Sequence, residues 1–193
     1  MLLVSMAAFG QSAERQVQST NQKLENEFER EEVSPAQLDA FEERGVQKLA
    51  DLAEYLEYIS DESVNETFRL QAKQLALDLF VTADVPYKYY EGEEIIETTI
   101  DKYLKHLLQQ KGVKTHFEFP GINTISEIEK TQDGTYFWLV QFVEKQEGDE
   151  NTSARLVVTL KISLQKVIKQ FGSETKFIWE VLLGEMVDLE VSP

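Results

Sequence analysis

Few side chains in this sequence are of types that do chemistry. There are two histidines, His106 and His116, and no cysteine. Thiolate nucleophiles, disulfides, iron–sulfur clusters and Cys-type zinc sites are therefore excluded. Two histidines are too few for a histidine-rich metal centre. The acidic runs at 25–32 and 148–150 lack the Asp-x-Asp-x-Asp-Gly order of a calcium loop. The chain has no Gly-rich phosphate loop, no Gly-x-Ser-x-Gly elbow and no His-Glu-x-x-His. What remains is scattered: Tyr103, His106, His116, Tyr136 and Glu180. No spacing pairs any of them with a partner, so the sequence calls for no metal and no cofactor.

The elements that must position these groups are legible from periodicity. The stretch 134–191 reads as an antiparallel meander, rich in β-branched and aromatic residues and broken by turn chemistry at 146–151 and 172–174. Its middle strand, 155–165, alternates cleanly. Leu156, Val158, Leu160, Ile162 and Leu164 point one way, and Arg155, Thr159, Lys161, Ser163 and Gln165 the other. The preceding strand is different. Tyr136, Trp138, Val140 and Phe142 alternate with Phe137, Leu139 and Val143, so both of its faces are apolar and both need cover. Asp133-Gly134 marks the hairpin turn before it. Upstream, 117–128 reads as a first strand interrupted at Pro120-Gly121, the pattern of a bent edge.

Three amphipathic helices precede the strands. Ser34, Pro35 and Gln37 form a capping box with proline at the first helical position. Leu38, Phe41, Leu49, Leu52, Leu56 and Ile59 then recur at helical steps, with Gly45 on the same face. Ser63 and Glu66 read as a second capping box, leading an apolar face from Val64 to Phe80. Pro86 ends that helix amid the tyrosines Tyr87, Tyr89 and Tyr90. A third helix is expected over 93–110, with Ile96, Ile100, Tyr103, Leu104, Leu107 and Leu108 as its stripe. Helices followed by strands mean α+β, with three helices on one face of a curved antiparallel sheet of about four strands.

The 193 residues are enough for one domain, taken here as 34–193. The apolar run 2–9, followed by small residues ahead of Gln11, reads as the end of a signal peptide over 1–10, although no basic side chain precedes Arg15. An exported, periplasmic or secreted protein is the expectation from it; if residues 1–10 are instead a buried N-terminal segment, the expectation is a cytoplasmic one. Residues 11–33 read as a polar linker or frayed helix, with Val17, Leu24 and Phe28 as a weak stripe. The net charge of −16 opposes binding to nucleic acid and to anionic membranes. No apolar run is long enough for stable membrane insertion.

Three stretches give the chain a family resemblance. They are Phe68-Arg69 with Ala72, Ile100-Asp101 with Tyr103-Leu104, and the last strand from Lys176 through Trp179, Glu180 and Glu185. Over about 34–191 the sequence resembles the nuclear transport factor 2-like superfamily, within the cystatin-like architecture, as found in uncharacterised exported bacterial domains. The resemblance implies a cone-like fold that can enclose a small apolar ligand. Enzymes of that kind, isomerases and dehydratases, set a carboxylate in the cone as base, with tyrosine as oxyanion partner. The superfamily also contains binding modules and adaptors, so fold alone does not choose among them. With no catalytic constellation in the sequence, the expected function is non-enzymatic binding of a protein partner, or of a second copy through the sheet. The expected pocket or interface residues are Tyr103, Tyr136, Phe137, Trp138, Leu139 and Trp179. His106 is expected to be exposed or to cap its helix, and His116 to be exposed.

Overall fold

The computed structural model describes residues 33–91, 93–110, 115–147 and 153–191. The expected signal peptide and the linker up to residue 32 lie outside them. The chain is α+β; the described residues form three helices, a six-stranded antiparallel sheet and a separate two-stranded hairpin.

Helix α1 spans Pro35–Ser60 and starts at the expected capping box. Ser34 Oγ accepts from the Gln37 N–H, and Gln37 Oε1 accepts from the Ser34 N–H at 2.9 Å. Helix α2 spans Glu66–Leu77. Its cap is Asn65 and not Ser63: Asn65 Oδ1 accepts from the Thr67 N–H at 2.9 Å, while Ser63 bonds Asp61. Asn in an extended conformation is as good a cap as Ser and stands one residue before the helix.

The largest departure from expectation lies between α2 and the third helix. Strands β1 (Pro86–Glu91) and β2 (Glu94–Thr99) pair as an antiparallel hairpin. Helix α3 is therefore only Ile100–Gln109, capped by the Thr99 hydroxyl. Tyr87, Tyr89 and Tyr90 of β1 stand opposite the β-branched Thr98, Ile96 and Ile95, pairs that favour a sheet over a helix. The turn places Glu93 at φ +77°.

The sheet strands are β3 (His116–Glu118), β4 (Asn123–Thr124), β5 (Glu129–Lys130), β6 (Tyr136–Glu147), β7 (Ser153–Phe171) and β8 (Glu174–Val191). Their order is β3-β6-β7-β8, with β4 and β5 also on β6. Three short segments thus share one edge, because Pro120 and Gly121, the latter at φ +69°, divide it. At the other edge the chain after α2 docks on β8. The Val81 N–H donates to the Leu183 carbonyl at 2.9 Å and the Leu183 N–H to the Leu79 carbonyl at 2.8 Å. Register shifts between β7 and β8 at Thr159, Leu160 and Ile162 bulge the sheet.

All three helices lie on one face. The even-numbered residues of β6 and β7, from Tyr136 to Phe142 and Leu156 to Leu164, are buried there with Leu49, Leu52, Leu56, Ile100 and Leu104. Gly45 sets the closest approach of α1: a Cβ there would stand 2.8 Å from Ile162 Cδ1 and 3.2 Å from Trp138 Cζ2. The helix ends are tied by Arg69. Its Nε donates to the Ile59 carbonyl and its Nη2 to the Leu108 carbonyl, both at 2.9 Å, so one guanidinium closes α1 and α3 together.

Candidate functional site

Under the helices, at the β3 end of the sheet, the chain assembles an aromatic and acidic cluster from three elements. Tyr87 comes from β1, Tyr103 from α3 and Glu144 from β6, and each is nearly fully buried. The hairpin brings Tyr87 onto Tyr103 as a stacked pair with ring centroids 4.9 Å apart. Tyr89 lies on the other side of Tyr103 at 5.0 Å and meets His106 at 5.3 Å. His106 Nε2 is 3.0 Å from Glu91 and 3.1 Å from Gln110 Nε2. His106 lies in the last turn of α3, as expected, and meets this aromatic and carboxylate array from there.

Glu144 is 3 % exposed. Burial first, then its negative field, push the Tyr87 and Tyr103 phenols well above the usual tyrosine range. Both stay protonated at neutral pH and remain hydrogen-bond donors. A carboxylate among buried phenols is a combination that can accept a proton and steady an oxyanion. Neither Glu144 nor Tyr87 was singled out from the sequence as a site residue. The signal for Glu144 was present: it continues the run Tyr136, Trp138, Val140, Phe142 at the same two-residue step, which is the buried face.

The other expected site residues fall in three places. Trp138 is fully buried between Gly45 and Ile162, and its indole N–H finds no acceptor among the described residues. Tyr136 and Trp179 meet edge to face at 5.6 Å, with Lys130 over one ring and Lys166 over the other. Phe137 and Leu139 point away from the helices and are half-buried, with Lys161 Nζ 4.7 Å from the Phe137 ring centre. Tyr103 is the one expected site residue within the Glu144 cluster. Glu180 lies outside it, bonded to Lys169 at 2.8 Å.

His116 sits where β3 meets the end of α1. Its Nδ1 is 3.1 Å from Glu57 and its Nε2 3.4 Å from Glu118. Two carboxylates facing both ring nitrogens favour the imidazolium, and hydrogen bonding to Glu57 and then Glu118 raises the His116 pKa. Among the described residues, no group of His, Asp and Glu is arranged to hold a metal. No helix there is long and apolar enough to cross a membrane. The chain matches no protein-family model, no curated protein and no solved structure.

The His116 geometry has a signed consequence for pH. The folded pKa lies above the unfolded one, so the stabilisation is complete below about pH 6.5 and is lost as pH rises through the folded value. His116→Gln should lower Tm at pH 6 by at most about 3 °C, given the exposure of the pair. That difference should vanish by pH 9. Thermal melts across this range check it, and a gap that grows with pH contradicts the assignment.

Proposed function

We propose that this protein is a non-enzymatic interaction module that works through the outer face of its sheet. The observation behind it is the unequal cover of the two faces. All three helices lie on one side, yet Phe137, Leu139, Val143 and Val157 stand half-buried on the other, beside an Ile125 that is 50 % exposed. Neighbouring apolar side chains gathered on one face favour an interface. The strong negative charge opposes indiscriminate self-association, so the partner must fit locally. A second protomer, paired face to face, is the partner we favour. The resemblance to the cone-shaped nuclear transport factor 2-like architecture belongs to the same proposal, supported by helices gathered on one face of a bulged antiparallel sheet. Placement outside the cytoplasm rests on the apolar run 2–9. It requires the mature chain to begin at or near Gln11, and intact Met1 on cytosolic protein in a mass spectrum refutes it.

The interface makes a paired prediction. Leu139→Glu adds a charge to the outer face and should leave the fold intact while abolishing association. Trp138→Glu buries a charge beneath α1 and should unfold the chain. Sedimentation together with thermal melts separates the two effects. A parent protein that is monomeric and offers no capture surface, with both variants merely unfolded, sinks the reading.

Glu144 favours a second reading. A buried carboxylate beside Tyr87 and Tyr103 fits an isomerase or dehydratase in which Glu144 removes a proton and a phenol steadies the resulting enolate. A β,γ-unsaturated ketone is the simplest probe, because conjugation of its double bond is read by absorbance. Glu144→Gln should then reduce turnover by about 100-fold or more, the usual size of a general base's contribution. Absence of turnover by the parent protein across such ketones rules out this reaction.

A further inference from the structure

Among the described residues, two strand edges are left without a neighbour, and their sequences match. The pairing of β6 with β7 ends at Tyr136 and Leu164, whereas β7 and β8 remain paired out to Phe171 and Glu174. Beyond Leu164 the sheet is therefore a two-stranded arm, with β7 as an open edge over 165–171. Strand β2 pairs only with β1, so its other side is an open edge too. The arm edge carries Lys166-Val167-Ile168-Lys169, and β2 carries Glu94-Ile95-Ile96-Glu97. Each is a pair of apolar β-branched residues between two like charges, lysines in one and glutamates in the other. Over 165–177 the arm has three lysines against one glutamate, a net +2 in a chain of net −16. Over 86–99 the hairpin has four glutamates against one lysine, a net −3.

We propose that β2 of one copy of this chain adds as a strand to the β7 edge of the arm of another copy. Run antiparallel with Ile95 opposite Ile168, the two edges set Glu94 against Lys169, Ile96 against Val167, Glu97 against Lys166 and Thr98 against Gln165. Residues opposite each other share a face of the sheet, and exposure selects this register. Ile95, Glu97, Lys166 and Ile168 are exposed, while Ile96, Thr98, Gln165 and Val167 are half-buried, so like meets like along both faces. A parallel pairing also matches the charges, but it sets exposed Ile95 against half-buried Val167. In the antiparallel register Ile95, 44 % exposed, joins Ile168 at 64 % and Phe177 at 63 %, which already stand opposite each other. Edge lysines ordinarily deter another chain; these admit one that brings glutamates at the same spacing. Lys169 bonds Glu180 at 2.8 Å, Lys166 Nζ is 5.3 Å from the centre of the Trp179 ring, and Glu97 is 3.5 Å from Lys88. Exposed contacts of this kind are weak and readily shared. The added strand cannot be the chain's own β2. Tyr87 of the hairpin lies in the field of Glu144, which stands opposite Leu156. Ile168 is twelve residues beyond Leu156, about 40 Å along β7. The contact joins unlike surfaces, so it repeats from copy to copy as a ring or a chain. It is separate from the outer face of the sheet and adds to pairing there. Five residues from each strand make it weak by itself, a contact best read by trapping it.

The lack of native cysteine makes a clean test in the full-length chain. One variant carries Ile95→Cys and a second carries Ile168→Cys. Both positions are exposed, so the fold should persist, and circular dichroism confirms this first. When the two are mixed under mild oxidation, the 95–168 disulfide should form at least about tenfold faster than either homodimer, because opposed strand positions stand at disulfide distance. Lys166→Glu with Lys169→Glu, added to the Ile168→Cys chain, should slow that product several-fold, since glutamates then face glutamates. Glu94→Lys with Glu97→Lys, added to the Ile95→Cys chain as well, should restore the rate. A dominant 168–168 product would overturn the proposal by pairing arm with arm. So would a rate indifferent to the first charge reversal, or one that the second reversal fails to restore. None of these chains carries Leu139→Glu, so the outer-face reading stands or falls on its own experiment.

Discussion

A single buried guanidinium sets the geometry on which much of this structure depends. Helices leave their last carbonyls without intrahelical partners, and burying those carbonyls bare is costly. The ends of α1 and α3 both lie against Arg69 of α2, which satisfies one carbonyl of each. The cation also suits the negative end of each helix dipole. Ser60 closes a further carbonyl of α1 and binds Thr115, joining the same corner to β3. Asp101 completes the frame at the start of α3, where Lys105 and Lys73 bond its carboxylate and lower its pKa. Helix α3 is thereby fixed at both ends. Its inward side chain, Tyr103, is consequently presented to Tyr87 and Glu144 in one orientation.

The sheet adds a second constraint, which is its close approach to α1. A helix over a sheet normally stands about 10 Å away, because side chains fill the gap. Gly45 removes one layer of side chain where Trp138 and Ile162 are bulkiest, and the two large residues take its place. The bulge at Leu160 lies two residues from Ile162 on the same strand. It bends the sheet beside the contact, and Gly184, whose added Cβ would meet the Lys161 carbonyl at 3.0 Å, lets β8 follow the bend. Packing on the helix side is thus dense at the centre, while the acidic and aromatic cluster occupies the end nearer β3.

Much of this was legible in the sequence because burial leaves a period. The alternation along β7 identified the helix-side face, and the three- and four-residue steps identified α1 and its cap. The edge break at Pro120-Gly121 was legible for the same local reason. The β1–β2 hairpin was not. Ile96, Ile100, Tyr103, Leu104 and Leu107 fit a helical stripe, and only Ile100 onward is helical. The choice is made by pairing across the hairpin, such as Tyr89 with Ile96, which one-dimensional periodicity does not contain. The site was missed for a related reason. Tyr87 and Tyr103 are 16 residues apart, and Glu144 is 41 further on, so no motif spacing joins them. They meet because the hairpin and α3 fold over the sheet together. The extension of β7 to Phe171 was underread as well, because lysines and glutamine dilute its alternation.

Glu144 is the residue hardest to account for on structural grounds alone. A carboxylate taken out of water loses hydration that hydrogen bonds repay only in part, and apolar replacement of such groups is often neutral or stabilising. Every other inward position of β6 from Tyr136 to Phe142 is apolar. A leucine at 144 would extend that run without desolvating a charge. The carboxylate also works against the phenols, since its field makes them harder to ionise. That opposition keeps both phenols protonated as hydrogen-bond donors at neutral pH. Protonated phenols beside a carboxylate serve recognition of a polar group as well as they serve proton transfer. The proposed interaction surface and the cluster therefore need not compete: they lie on opposite faces of β6, one made of Phe137 and Leu139, the other ending in Glu144. A partner bound on the outer face would act on the cluster only by shifting the strand they share.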